Sequence, residues 1–161
     1  MRPPSRRIVL QLGIAGGAAL LGGIARAADA PPSSAPGAST ETLEQAIAAY
    51  TGGAAPKRGR VKLDIAPLVE NGNTVPITVS VESPMSESDH VAAITVLNEK
   101  NPQREVITCR LGPRAGRAVV SSRIRLATSQ TLVAIAQMND GSFWSDRVDV
   151  IVTLAACIET P

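Results

Sequence analysis

Apolar and polar residues alternate with a period of two through most of this chain, from Arg60 to Leu154. Successive side chains of a β-strand point to opposite faces, so this alternation predicts strands that are buried on one face. Short turn-forming segments separate the runs, and no helical pattern lies between them. We therefore expect an all-β domain, an immunoglobulin-like antiparallel β-sandwich. The runs cover residues 61–65, 75–81, 91–97, 106–111, 118–126, 132–138 and 147–154.

One short N-terminal helix is expected before the strands, near residues 43–51. Thr42 and Gln45 have the spacing of a capping box, in which each side chain accepts a hydrogen bond from the other residue's backbone. Gly52-Gly53 then ends the helical pattern. The helix should lie against the sheet through one apolar face, made of Leu43, Ile47 and Tyr50.

Pro76 interrupts the second alternating run. Proline has no backbone N–H to donate to a neighbouring strand, so it is confined to edge strands, strand starts and bulges. The sequence therefore predicts an edge position or a bulge at Pro76.

Residues 1–27 have the layout of a secretory signal. Arg6-Arg7 precedes the apolar stretch 8–24, and Ala25-Arg26-Ala27 offers small residues to a signal peptidase. The paired arginines and the weakly apolar, glycine-rich stretch favour the twin-arginine route over the general one. We expect a cleaved signal rather than a membrane anchor, with cleavage after Ala27 or, as second choice, after Ala30. The mature chain should be periplasmic.

The rest of the chain divides into three parts. Residues 28–40 are mostly Ala, Pro, Ser and Gly, a composition typical of a disordered leader. Residues 41–154 should form the β-sandwich, and residues 155–161 a C-terminal arm. About 134 residues remain after residues 1–27, which corresponds to one domain.

Export changes the charge of the protein. The chain has 16 basic and 14 acidic residues, but four of the arginines lie in residues 1–27, which contain no acid. The mature chain then holds 12 basic and 14 acidic residues. This balance gives no reason to expect nucleic-acid binding.

The chain contains too few of the residues and motifs on which most enzyme classes depend. His90 is the one histidine, too few for a His- or Cys-based metal site, and no G-x-S-x-G accompanies it. The segment 112–116 is a basic turn rather than a phosphate-binding loop. We expect no cofactor and no metal. The acids at turns should simply be solvated: Glu70, Asp89, Glu99 and Asp140.

The two cysteines, Cys109 and Cys157, have different surroundings. Cys109 shares a strand face with Ile107 and Leu111, which predicts a small buried hydrophobic residue. Cys157 follows the last strand, near the end of the chain, where a thiol should be accessible. A disulfide between the two remains an alternative, although a mid-strand thiol is poorly placed for it.

Several segments resemble the SoxY family, the sulfur-carrier subunit of the bacterial thiosulfate-oxidising Sox system. The twin-arginine signal belongs to the same pattern, and the likeness runs in order through the mature chain. The matching segments are Val75–Leu97 with Ser83-Pro84-Met85 and Asp89-His90-Val91, Asn101-Pro102, Leu111-Gly112-Pro113, Gly116-Arg117-Ala118, Ser121–Ala127, Met138 with Asp140-Gly141-Ser142, and Val150–Thr153.

The resemblance implies a covalent carrier rather than an enzyme. In that family a cysteine on a C-terminal Gly-Gly-Cys-Gly-Gly arm holds the sulfur substrate, and here the matching residue is Cys157. The implied partners are a SoxZ-like subunit in a heterodimer, a c-type cytochrome that attaches thiosulfate, a hydrolase that releases sulfate, and a sulfur dehydrogenase. A flexible tether would raise the effective concentration of the substrate at each enzyme.

The arm departs from the family pattern. It contains Ala155-Ala156 before Cys157 and Ile158-Glu159 after it, so all four glycines are replaced. Two other functions stay open. The chain could be a divergent, non-carrying interaction subunit that pairs with a SoxZ-like protein, or an enzyme that uses Cys157 as a redox nucleophile.

Overall fold

The computed structural model of the protein describes residues 41–156. The described part contains one α-helix, a single 3-10 turn and nine strands. In chain order they are α1 (Leu43–Thr51), β1 (Lys57–Arg58), β2 (Val61–Asp64), β3 (Leu68–Asn71), β4 (Val75–Val81), β5 (Val91–Asn98), β6 (Glu105–Arg110), the 3-10 turn (Pro113–Ala115), β7 (Ala118–Ile124), β8 (Gln130–Met138) and β9 (Phe143–Leu154).

The strands form two sheets that enclose an aliphatic core. The larger sheet has the order β1-β9-β8-β5-β6, with β3 also paired to β9, and the smaller sheet has the order β2-β4-β7. The prediction of a β-sandwich with one short helix is confirmed. Each of the seven alternating runs corresponds to one strand: the first to β2, and the other six to β4 through β9. The core residue Leu132 of β8 is fully buried between the sheets.

The alternating sequence pattern did not predict two of the strands, β1 and β3. Both run parallel to β9, with Lys57 opposite Trp144 and Leu68 opposite Ile151. β1 has two residues and β3 has four, and of these six residues Val69 alone is buried. Backbone hydrogen bonds to a long neighbouring strand hold such segments, so no apolar alternation marks them in the sequence.

Pro76 lies in the middle strand of the smaller sheet, but it behaves as an edge residue. The pairing of β2 with β4 ends at Asp64 opposite Thr78, two residues after Pro76. On its other side β4 continues in register with β7, where Pro76 lies opposite Arg123. The missing N–H therefore costs no ladder hydrogen bond on the β2 side, and no bulge is needed.

The helix α1 covers part of the outer face of the larger sheet. The capping box is confirmed: the amide of Gln45 donates to Thr42 Oγ1 at 3.2 Å and the amide of Thr42 to Gln45 Oε1 at 2.8 Å. Gly52 ends the helix with a φ of 65°. Because α1 packs on β5 and β8, these two strands are buried on both faces. The contact joins Leu43 and Ala46 to Leu97, Val133 and Ile135.

Among residues 41–156, no helix is long and apolar enough to cross a membrane.

Candidate functional site

The candidate substrate residue, Cys157, lies just outside the described residues, which end at Ala156. Strand β9 ends at Leu154, and the two alanines that follow lead to the cysteine.

Ala156 is anchored to the body of the sandwich. Its amide donates a hydrogen bond to the carbonyl of Leu126 at 3.1 Å, and only 6% of the residue is exposed. The amide of Leu126 in turn donates to the carbonyl of Gly72, and the amide of Gly72 to the carbonyl of Leu154, each at 2.8 Å. Three separate segments thus meet at the end of β9. We call Gly72, Leu126 and Ala156 the anchor.

The anchor requires glycine at position 72. A Cβ atom there would lie 2.4 Å from the carbonyl oxygen of Leu126 and 3.0 Å from the amide nitrogen of Ala156. These are backbone atoms, which cannot move aside as a flexible side chain would. Sequence reasoning missed this role because Glu70 to Asn73 resembles an ordinary turn, whereas its first half is the end of β3. The one available signal was a glycine in that segment.

A side-chain network holds the loop of Leu126 in place. Asn101, in the β5–β6 loop, donates from Nδ2 to the carbonyl of Arg125 at 2.8 Å. Its Oδ1 accepts from the amide of Ala127 at 3.0 Å and from Gln130 Nε2 at 2.7 Å. Asn101 therefore ties the β5–β6 loop to both neighbours of Leu126.

Replacing Asn101 with alanine should loosen this clamp. Three hydrogen bonds are lost and partly buried groups are left unpaired, so the free energy of unfolding should fall by about 2 kcal/mol. Urea denaturation of the purified variant measures it. The matched control is Gln103→Ala in the same loop, an exposed side chain whose loss should change stability by less than about 0.5 kcal/mol. Equal effects of the two substitutions would contradict the clamp.

Cys109 is less buried than its strand pattern predicts. It is a free thiol on β6 opposite Ile94, and it is half-buried rather than buried. The predicted orientation of Cys109, on the strand face that it shares with Ile107 and Leu111, is confirmed. Those two residues pack against the core, whereas Thr108 and Arg110 are exposed. The prediction of full burial is wrong, because β6 is the last strand of the larger sheet and has β5 on one side only.

The remaining candidate residues take part in local structure. His90 Nδ1 lies 3.0 Å from the carbonyl of Ser86, and the carboxylate of Asp89 pairs with Arg60 at 3.2 Å. Glu99 accepts a hydrogen bond from the amide of Thr131 at 3.1 Å. The structure brings none of these side chains to the anchor. Within residues 41–156, no group of three or more His, Cys, Asp or Glu could hold a metal ion.

The titration of Asp140 is perturbed. Hydrogen bonds from the side chain and then the backbone amide of Ser142 lower the pKa of Asp140 from its usual value. The amide of Ser142 is 2.8 Å from Oδ1, and the carboxylate is exposed in the β8–β9 turn. Such a contact within a turn stabilises the hairpin and indicates no catalytic role.

Comparison with known proteins agrees with this description. The structure resembles that of the sulfur carrier protein SoxY from Chlorobium limicola f. thiosulfatophilum, with a TM-score of 0.58 and 28% identity. The match covers 72% of this chain and 100% of that one. No curated protein matches the sequence.

Two superoxide reductases share the fold. The enzyme from Ignicoccus hospitalis, a neelaredoxin, matches with a TM-score of 0.53 at 18% identity, over 58% of this chain and 80% of that one. A putative superoxide reductase from Thermotoga maritima matches with a TM-score of 0.51 at 20% identity, over 61% of this chain and 87% of that one. At these identities the likeness extends to the fold alone.

The model of the family described as sulfur oxidation protein SoxY matches residues 47–157. That range includes every strand of the sandwich, the anchor and, as its last residue, Cys157. The match spans more than two thirds of the chain, and the resemblance noted in the sequence is thereby confirmed. This chain belongs to the SoxY family of sulfur oxidation proteins.

Proposed function

We propose that this protein is a covalent carrier of sulfur intermediates in periplasmic thiosulfate oxidation and that it holds the substrate on Cys157. The observation that carries the proposal is the anchor at Ala156, the residue directly before the cysteine. The anchor ends one residue before the proposed point of attachment, so the free arm expected over residues 155–161 cannot begin before Cys157. Membership of a family of sulfur oxidation proteins, with a match that ends on Cys157, supports the same assignment.

The loading step is an oxidation. The Cys157 thiol loses its proton and its sulfur forms a bond to the outer sulfur of thiosulfate, which gives a protein-bound S–S–SO₃⁻ group. Two electrons are released, and a c-type cytochrome partner accepts them. In the next step water cleaves the bond to the sulfonate, so that hydrogen sulfate leaves and a persulfide remains on the cysteine. A sulfur dehydrogenase partner then accepts six electrons from the outer persulfide sulfur, which takes three oxygen atoms from water and becomes a sulfonate. A second hydrolysis releases that sulfonate as hydrogen sulfate and restores the thiol.

In this scheme the protein itself is not an enzyme. The hydrogen bonds of the anchor come from backbone amides and carbonyls and from the side-chain amide of Asn101, groups that hold the chain but do not act as an acid or a base. The reactions belong to the partners, and the carrier supplies the thiol that takes the substrate from one partner to the next. Because the arm lacks the glycines of the family pattern, its backbone has fewer accessible conformations around Cys157. The active sites of the enzyme partners must also accommodate Ile158 and Glu159.

A SoxZ-like subunit is the proposed stable partner. Three large apolar side chains near the anchor end of β9 support it: Leu68, Ile151 and Leu154 are each about 60% exposed. Leu68 lies directly opposite Ile151 in the β3–β9 pair, so the two form one patch. Clustered exposed apolar residues of this size are typical of protein–protein interfaces.

The loading step predicts a fixed electron count. Mixing the purified protein with thiosulfate and the oxidised cytochrome partner should reduce two haem equivalents for each thiol loaded, because the new sulfur–sulfur bond releases two electrons. Absorbance of the reduced haem measures this directly. Cytochrome reduction that is independent of the carrier would refute the scheme. If the wild type is never loaded, the function of a non-carrying interaction subunit takes its place.

Periplasmic delivery rests on the twin arginines. Changing Arg6 and Arg7 to lysine should leave precursor in the cytoplasm, because the twin-arginine translocase reads the paired guanidinium groups. Immunoblots of cytoplasmic and periplasmic fractions measure the distribution. The control is Arg2→Lys, in the same basic segment but outside the pair. Normal periplasmic accumulation of the doubly substituted precursor would rule out this route.

A further inference from the structure

The charges of the described residues are unevenly distributed. Residues 106–139 contain five arginines and no acid, whereas the rest of residues 41–156 contains seven basic and twelve acidic side chains. All five arginines are exposed. Among residues 41–156, none of them takes part in an ion pair, since the two pairs there join Arg60 to Asp89 and Arg147 to Glu44. The five are Arg110, Arg114, Arg117, Arg123 and Arg125.

These arginines lie along one side of the sandwich, where β6 and β7 are the last strands of their sheets. Within residues 41–156, β6 pairs with β5 alone and β7 with β4 alone, so in this part of the chain each of the two strands has an open edge. The chain crosses between the two sheets here through the 3-10 turn Pro113–Ala115. Arg114 lies in that turn, Arg110 and Arg117 flank it, and Arg123 and Arg125 lie at the other end of β7. We call this side the β6–β7 seam.

A groove of about 380 Å³ opens in the seam. One wall consists of residues 105–107 of β6, and the other of residues 122–125 at the end of β7. Asn98 and residues 101–103 of the β5–β6 loop line its third side. Val106 and Ile107 are half-buried and Ile124 is buried, which gives the groove apolar surface between the guanidinium groups. Glu105 is the one acid among its lining residues.

We propose that the β6–β7 seam binds an extended acidic segment of a partner protein, which adds as a strand to the open edge of β7. Unpaired N–H and C=O groups of an edge strand offer backbone hydrogen bonds to an incoming strand. Side chains on one face of that strand would enter the apolar groove. Its carboxylates would pair with the flanking arginines, for which guanidinium–carboxylate geometry is favourable. Charge complementarity selects the occupant, because an unpaired row of arginines repels a basic segment.

The test uses the ¹⁵N-labelled periplasmic protein and a capped heptapeptide with the sequence Glu-Val-Glu-Val-Glu-Val-Glu. Backbone amide shifts should concentrate in residues 105–107 and 118–125, and binding should weaken with salt. The double variant Arg123→Glu, Arg125→Glu should raise the Kd at least about tenfold, since two attractions become repulsions. Its matched control is Arg58→Glu, Lys62→Glu, the same change of charge at exposed residues of β1 and β2. The control should change the Kd less than about twofold.

Three results would overturn the proposal. Shifts located away from the seam would place the peptide elsewhere. Equal weakening by the two double variants would mean attraction by net charge alone. Two further peptides, one N-methylated on the valines and one on the glutamates, would exclude strand addition if both bind as tightly as the original, because one of the two sets of amides must face β7.

Discussion

Cells that depend on thiosulfate should lose thiosulfate-driven respiration completely when Cys157 is replaced with serine. A hydroxyl does not form a bond to a sulfane sulfur under these conditions, so no intermediate can be attached and every later step lacks its substrate. Oxygen consumption after addition of thiosulfate measures the effect. Folding and partner binding should be unchanged, because the anchor ends at Ala156.

The control for this substitution is Cys109→Ala. Cys109 is half-buried in an edge strand, so its loss should cost about 1 kcal/mol of stability or less and leave respiration intact. Respiration that survives Cys157→Ser but fails in Cys109→Ala would reverse the roles of the two thiols. Loss in both variants, with both proteins folded, would mean that the protein needs a cysteine pair.

Gly72→Ala should destabilise the protein by about 3 kcal/mol and detach the end of β9. The new methyl group would overlap the carbonyl oxygen of Leu126 at 2.4 Å, and the backbone must shift to accommodate it. The hydrogen bonds that join Gly72 to Leu126 and to Leu154 lie at the point of that shift. Urea denaturation gives the stability, and amide exchange at Ala156 reports the anchor itself.

Gly112→Ala is the matched control for Gly72→Ala. A Cβ at Gly112 would meet no atom within 4 Å, and the residue has an extended φ of −147° that any amino acid adopts. Its stability should stay within about 0.5 kcal/mol of the wild type, because alanine there adds no strain. Unchanged exchange at Ala156 in Gly72→Ala would contradict the anchor.

The strands that carry their own apolar alternation could be predicted from the sequence, and those that depend on a neighbour could not. β4 alternates cleanly from Val75 to Val81 because one face packs on the core and the other is open. β8 is buried almost throughout, since α1 covers its outer face. β1 and β3 exist because β9 is long enough to pair with them, a property of the fold rather than of their own residues.

Part of the candidate site could likewise be predicted from the sequence, and part of it could not. Cys157 could be identified from its place in the chain and from the family resemblance, because both are properties of the sequence. The anchor could not, since Gly72, Leu126 and Ala156 are far apart in sequence and meet through backbone atoms. The half-burial of Cys109 also depends on strand order, which places β6 at the edge of its sheet.

Strand order likewise produces the β6–β7 seam. The five arginines are visible in the sequence as a stretch without acids, yet nothing in the sequence shows that two open strand edges lie beside them. The seam involves neither Cys157 nor the anchor residues. A failure of the acidic peptide to bind would therefore not contradict the carrier function. A failure to find an adduct on Cys157 would likewise not contradict peptide binding at the seam.

The covalent carrier function is tested most directly by top-down mass spectrometry of the wild-type protein from the periplasm of thiosulfate-fed cells. We expect one adduct with the mass of a thiosulfonate or persulfide group, removable by a thiol reductant. Fragmentation should locate it on the C-terminal fragment that contains Cys157 and leave the fragment with Cys109 unmodified. An unmodified Cys157 in thiosulfate-fed cells, or an adduct on Cys109 instead, would contradict the account.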